Sequence, residues 1–471
     1  MRNSNKKTSS GRRKILGRIA GVIILCAVII ACECVAQLSF DEVHMSDYYN
    51  YDVKKLVREN ADVDMIIVGA SQVYHSCVPD VISETLGIGE VLDASTASLT
   101  NDGGYYLLKN LLGKFHPEYV LVNLNWDRFM KKVPAGEKRG RLLAADRLPL
   151  LERLEYAWNC FPIAEVPNLS HMYRFGGTIW GFGQLKKHYL EKKAVRDGNW
   201  VSEDERAYRK NGYCQYNKSR ERGNIEAEEN YYSNDLIDPH ELEYIQKTKE
   251  LCDKAHVRLI WITVPTSMEE LYSIENLQED MDYIAEFTKE SGSPWLNFNL
   301  LRGREESLPD SSYTDNLHVN GVGAEYFSKL LAETIQRLDD GKDVSDLFYD
   351  SVEEMKEDVH RIVACNATVS KDAAGNLNVN AVSLQNEDMV PEYRLLLSEE
   401  EKNPEHFEEL IPWQEEPVFH VEKDQLPAAY TLRLEVRQQG QDPEPLVLWR
   451  SPPNPCRRRT IRSADWRCSD R

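Results

Sequence analysis

The chain has 471 residues, 42% hydrophobic and 28% charged, with a net charge of −20. That is the balance of a folded protein, and the length suffices for two or three domains with cores of their own. Seven Lys/Arg and no acid fall in the first 18 residues, and six Arg with two Asp in the last 16, so the body between them carries −31. A body so acidic repels phosphate backbones, which excludes nucleic acid as a partner.

The ten cysteines, at 26, 32, 34, 77, 160, 214, 252, 365, 456 and 468, show no zinc-ribbon spacing, and the chain is too long for a disulfide-stapled mini-domain. No metal or cofactor is expected.

Residues 1–18 form a basic segment, and the charge-free run from Ile19 to Cys32 extends to about residue 38. A basic flank before an apolar run reads as an uncleaved signal anchor over 19–38, with the basic end cytoplasmic and Glu33 at the outer interface. Ile29-Ile30-Ala31-Cys32 also matches a loose lipobox, so a lipoprotein anchored through Cys32 is the second reading. Both place the remainder outside the membrane, behind a juxtamembrane segment at 39–63.

From residue 64 to 340, apolar β-branched runs alternate with helical periodicity. Strands are predicted at Asp64–Val68, near Glu90–Leu92, and at Tyr119–Asn123, Val257–Val264 and Trp295–Phe298. Helices are predicted at Gly103–Phe115, Pro239–Ala255 and near Met281–Ser291. This alternation implies a five-stranded parallel sheet covered on both faces, a three-layer α/β/α fold. Residues 130–235 interrupt it with an insertion rich in Tyr, Trp, Arg and Lys. Its Trp158, Tyr173, Trp180, Tyr189 and Trp200 suit either a local helical core or a sugar-binding wall, and its polar middle, 197–229, reads as a loop. Residues 341–450 turn to short alternating runs, such as Leu377–Val382, Tyr393–Leu397 and Tyr430–Val436, the pattern of a small fibronectin-like β-sandwich. A basic tail occupies 451–471.

Two stretches carry chemistry. Met65-Ile66-Ile67-Val68 ends in Gly69-Ala70-Ser71-Gln72, which puts a serine at the carboxyl end of a buried strand, where α/β sheets place their ligands. The same serine could cap the following helix. Tyr313-Thr314-Asp315-Asn316-Leu317-His318-Val319-Asn320-Gly321 sets a carboxylate and an imidazole three apart before a helix. That arrangement allows Asp315 to orient His318 toward a nucleophile, or simply to form an Asx turn. Cys77 and His75 near the first strand offer a weaker alternative.

Together these stretches resemble the SGNH (GDSL-like) hydrolase superfamily, in particular its membrane-anchored DltD-like and alginate-acetylation-like branches. The resemblance covers roughly Asp64 to Leu338 and implies a flavodoxin-like α/β/α domain with Ser71, Asp315 and His318 as its triad. It further implies Asn125, in Asn123-Leu124-Asn125-Trp126, as an oxyanion-hole donor. Ser95 or Ala97 would supply a second-block backbone N–H, although the family's glycine is missing there. The family's Gly-Asp-Ser is here Gly69-Ala70-Ser71. The implied activity is that of a serine esterase or O-acyltransferase on acyl esters of a cell-envelope glycan or glycopolymer. The alternative is a catalytically silent accessory subunit that binds polymer or a membrane-bound O-acyltransferase.

Overall fold

In the computed structural model, residues 5–40, 44–130, 134–175, 206–218, 237–274, 276–359, 362–386, 388–399, 406–427, 430–440 and 446–450 are described, with a few positions between 186 and 193. The first helix spans Asn5–Phe40, and its stretch Gly17–Ala36 is long and apolar enough to cross a membrane. A second helix, His44–Glu59, leads to the sheet.

The central sheet contains β1 (Val63–Val68), β2 (Glu90–Asp93), β3 (Tyr119–Asn123), β6 (Arg258–Thr263) and β7 (Trp295–Asn297) in the order β2-β1-β3-β6-β7. Every pairing is parallel. These strands are nearly continuous Val/Ile/Leu runs because both faces are covered. Along β1 the side chains alternate: Met65 and Ile67 enter one core with the helix Gly321–Asp339, while Ile66 and Val68 enter the other with the helices Asn101–Leu112 and Pro239–Ala255. Each such fully buried aliphatic side chain contributes about 1.5–3 kcal/mol of transfer free energy.

Local signals set the boundaries. Thr100 caps the helix Asn101–Leu112, its hydroxyl accepting from the Gly103 N–H, so Thr100-Asn101-Asp102 is a helix start. Asp238 caps Pro239–Ala255 with proline at the first position. The helix predicted near Met281 begins earlier, at Leu277.

The insertion contributes two helices, Pro134–Arg147 and Leu150–Cys160, a short helix His171–Phe175, and a hairpin of β4 (Arg206–Tyr208) and β5 (Cys214–Tyr216). The stretch expected to be loop thus holds a hairpin at its centre, turned by Asn211 and Gly212 with φ of 51° and 98°. Trp180 and Trp200 lie outside the described residues, as does the tail 451–471.

Two antiparallel sheets follow, one of β12 (Val418–Val421), β9 (Leu377–Gln385) and β8 (Ile362–Lys371), the other of β11 (Glu408–Gln414), β10 (Pro391–Ser398), β13 (Thr431–Gln438) and β14 (Leu446–Arg450). Val379, Leu395, Phe419 and Leu434 from both sheets share one core, which makes this unit a sandwich.

Candidate active site

β1 delivers Ser71 to the carboxyl edge of the sheet through a turn too tight for a side chain at Gly69. A Cβ there would meet Val73 Cγ2 at 2.2 Å. The residue in the N-cap position of the helix Ser71–Ser76 is Ala70, so the Ser71 hydroxyl is not engaged in capping. It donates instead to His318 Nε2 at 2.9 Å.

His318 and Asp315 sit on a loop closed by the Tyr313–Val319 bridge and by the Thr314 N–H on the His318 carbonyl at 2.9 Å. Asn320 then caps the helix Gly321–Asp339, accepting from the Val322 and Gly323 N–H groups and donating to the Ser311 carbonyl at 2.6 Å. The Asx turn and the charge pair coexist. Asp315 Oδ1 accepts the N–H groups of Leu317 and His318, both at 2.8 Å, while His318 Nδ1 lies 2.9 Å from each carboxylate oxygen. Burial pushes the Asp315 carboxyl up, but the His318 side chain and these two amides outweigh it and hold the pKa below the usual range. An ionised Asp315 only accepts, so Nδ1 carries the proton and Nε2 faces the serine as a base.

The second-block loop departs from expectation. The Ser95 N–H donates to Asp93 Oδ1 at 2.8 Å and the Thr96 N–H to the Gly69 carbonyl at 3.2 Å. Arg147 Nη1 holds the carbonyls of Ala94 and Ser95 at 3.0 and 2.8 Å. The amide of Ser95, expected as an oxyanion donor, is therefore engaged within its own turn. Ala97 packs beside Tyr74 and Cys214 under the inserted hairpin. Asn125 ends the loop after β3. Its Nδ2 donates to Gln72 Oε1 at 2.6 Å, and its Oδ1 is buried with no hydrogen-bond partner among the described residues.

Two more residues lie beside the triad: His75, named in the sequence only as an alternative near the first strand, and Tyr216, not singled out there. His75, buried with Nδ1 2.5 Å from the Cys214 carbonyl, meets the His318 ring edge-on at 5.3 Å between centroids. Tyr216, from β5, stacks on His75 at 4.0 Å and lies 5.9 Å from His318. The aromatic beside the site is thus Tyr216, while Trp158, Tyr173 and Tyr189 are exposed. Asn211-Gly212 between two short alternating runs was the available hairpin signal. Cys77 is fully buried, which pushes its thiol well above the ordinary range and keeps it protonated.

Among the described residues, Asp102, Cys160 and His240 bring ligand atoms within 4.8 Å of one another. Their contacts read as an ion pair between a buried carboxylate and a half-exposed imidazole: His240 Nε2 lies 3.2 Å from Asp102 Oδ2, and Asp102 Oδ1 accepts from the Gly103 N–H at 2.6 Å and from the Tyr156 hydroxyl at 3.1 Å. Burial and the Asp102 charge push the Cys160 thiol up to about 12.

No family model and no curated protein matches the chain. Among solved structures it is similar to a protein of Bacteroides fragilis proposed to be an acylhydrolase (11% identity, TM-score 0.28, 61% of this chain and 97% of that one). It is also similar to a GDSL-like lipase of Bacteroides thetaiotaomicron (12%, 0.29, 62% and 99%). A third is a gut microbial diltiazem-metabolizing enzyme (9%, 0.27, 74% and 70%). Likeness at this level assigns no chemistry to this chain.

Proposed function

We propose that the protein is a membrane-anchored, extracytoplasmic serine esterase or O-acyltransferase of the SGNH type, acting on acyl esters of a cell-envelope glycan or glycopolymer. The observation that carries this reading is the hydrogen-bonded chain from Ser71 through His318 to Asp315 at the carboxyl edge of a parallel sheet. Ser71 Oγ attacks the acyl carbon while its proton passes to His318 Nε2. Asp315 steadies the imidazolium, and the Ser71 N–H with the Asn125 amide faces the developing oxyanion. Collapse breaks the ester bond, and the leaving alkoxide takes the proton back from Nε2. Water or a sugar hydroxyl then releases the acyl group by the same steps in reverse.

Fluorophosphonate labelling of the full chain in membranes tests the reading. The wild type labels, and Ser71→Ala and His318→Ala do not. A folded wild type that fails to label favours the accessory subunit, a reading supported by the occupied Ser95 amide. The anchor, Gly17–Ala36, is tested by resistance to alkaline carbonate extraction.

A further inference from the structure

The helix Leu150–Cys160 is turned inside out. Its inward face is made by Tyr156 and Ala157, yet its outward face, at spacings of three and four, is Leu150, Leu151, Leu154 and Trp158. Leu151 is 79% exposed and Trp158 89%, and the chain that follows adds Ile163 at 91%. Met172 and Tyr173 continue the exposure three and four residues after a 3₁₀ turn, Val166–Leu169. Scattered apolar residues on a surface need no explanation, but a contiguous run on one helix face does.

The position of this face names what covers it. Glu33, near the outer end of the apolar span, is held by the start of the short helix at His171. It accepts from the Ser170 hydroxyl at 2.7 Å, from the His171 and Met172 N–H groups at 2.5 and 3.3 Å, and from His171 Nδ1 at 2.9 Å. His171 and Arg174 in turn bond Asp146 on the helix Pro134–Arg147 at 3.4 and 2.8 Å. The insertion is therefore fastened to the first helix at Glu33, three residues before the end of the apolar span Gly17–Ala36. Its exposed Leu150 and Leu151 follow Asp146 by four and five residues, at the start of the helix that carries Trp158. Tryptophan beside leucine at this level is the composition of an interfacial helix.

We propose that the face formed by the helix Leu150–Cys160 and by Ile163 beds into the outer headgroup region of the bilayer that Gly17–Ala36 crosses. This rests on the anchor reading, and it makes the domain a body held flat on the membrane at two points rather than one swinging from a tether. The active site is thereby kept at a fixed height, suited to an acyl donor or acceptor presented at the membrane surface.

The test uses the full chain in liposomes whose lipids carry bromine on the upper acyl carbons. Trp158→Phe should lower the bromolipid-dependent quenching of tryptophan fluorescence at least twofold, while Trp413→Phe, in the β-sandwich, leaves it unchanged. Equal quenching in wild type and Trp158→Phe overturns the proposal. So does a result in which Leu151→Glu/Trp158→Glu releases a co-purifying integral membrane protein without any change in lipid contact, because the face then belongs to a protein partner. Release of the wild type by alkaline carbonate would instead overturn the anchor itself. A chain that resists carbonate but lacks Trp158 quenching overturns the face alone.

Discussion

Gln72 Oε1 accepts a hydrogen bond from Asn125 Nδ2 at 2.6 Å, joining the residue after Ser71 to the loop after β3. Through it, the side chain expected to hold an oxyanion is oriented from the helix that carries the nucleophile. Asn125→Ala should lower kcat/KM on a small aryl ester by about 10²–10³, the usual cost of one lost oxyanion donor. Gln72→Ala, which removes only the orienting bond, should cost roughly tenfold, within the range of a single hydrogen bond to a neutral partner. Wild-type kinetics in Asn125→Ala would remove Asn125 from the mechanism.

Asp315→Asn keeps an oxygen for the Leu317 and His318 amides, so circular dichroism and thermal melting should change little. The neutral amide no longer selects the Nδ1–H tautomer or stabilises the imidazolium. We expect kcat to fall by roughly 10³–10⁴ with KM nearly unchanged. A drop below tenfold would mean that His318 works without its carboxylate.

Tyr216 makes an aromatic wall against His75 and His318. Replacement by Phe should preserve the stack and the activity. Replacement by Ala should raise KM several-fold for an acylated oligosaccharide while leaving fluorophosphonate labelling near the wild-type rate. Equal loss of both signals would show that Tyr216 positions His318 rather than substrate.

At Gly212 the backbone has a φ of 98°, and a Cβ would stand 1.9 Å from the Asp93 carbonyl. Gly212→Ala should therefore destabilise the protein by about 2 kcal/mol or more in denaturant titration, since both strain and a backbone clash oppose it. Gly87, with a φ of 69° and open space around it, is the comparison. Gly87→Ala should cost about 1 kcal/mol. Comparable costs at the two positions would contradict the close packing of the hairpin on β2.

Glu270 is buried beside Asp127 and Asp315; burial first, then these two charges, raise its carboxyl from 4.5 to about 7. The folded chain thus binds a proton that the unfolded chain has lost across this window. Glu270 must then reduce stability as the pH rises from about 4.5 to 7. Glu270→Gln removes the term. The variant should be more stable than wild type by roughly 1–3 kcal/mol at pH 7.5, with the difference vanishing near pH 4.5. Parallel stability profiles for the two proteins would refute the assignment.

Much of the α/β unit was legible because its signals are local. Tyr119–Asn123 is a strand as predicted, and Pro239–Ala255 a helix with the predicted ends, because apolar runs, proline and capping residues act within a few positions. The two alternatives for Ser71, cap or free hydroxyl, could not be separated that way. They differ by one residue in where the helix begins, and in the structure Ala70 holds the cap position.

By itself the sequence determined the strands of the parallel sheet, the apolar span and the residues fit to form a triad, since these follow from periodicity and residue chemistry along the chain. Only the tertiary structure decided what lies across from what. It aimed Gln72 at Asn125 across 53 positions and laid Tyr216 against His75. Hydrogen bonds and ring contacts depend on distances of a few ångströms. Between segments far apart in the chain, those distances are set by the packing of the whole sheet and carry no imprint in local pattern.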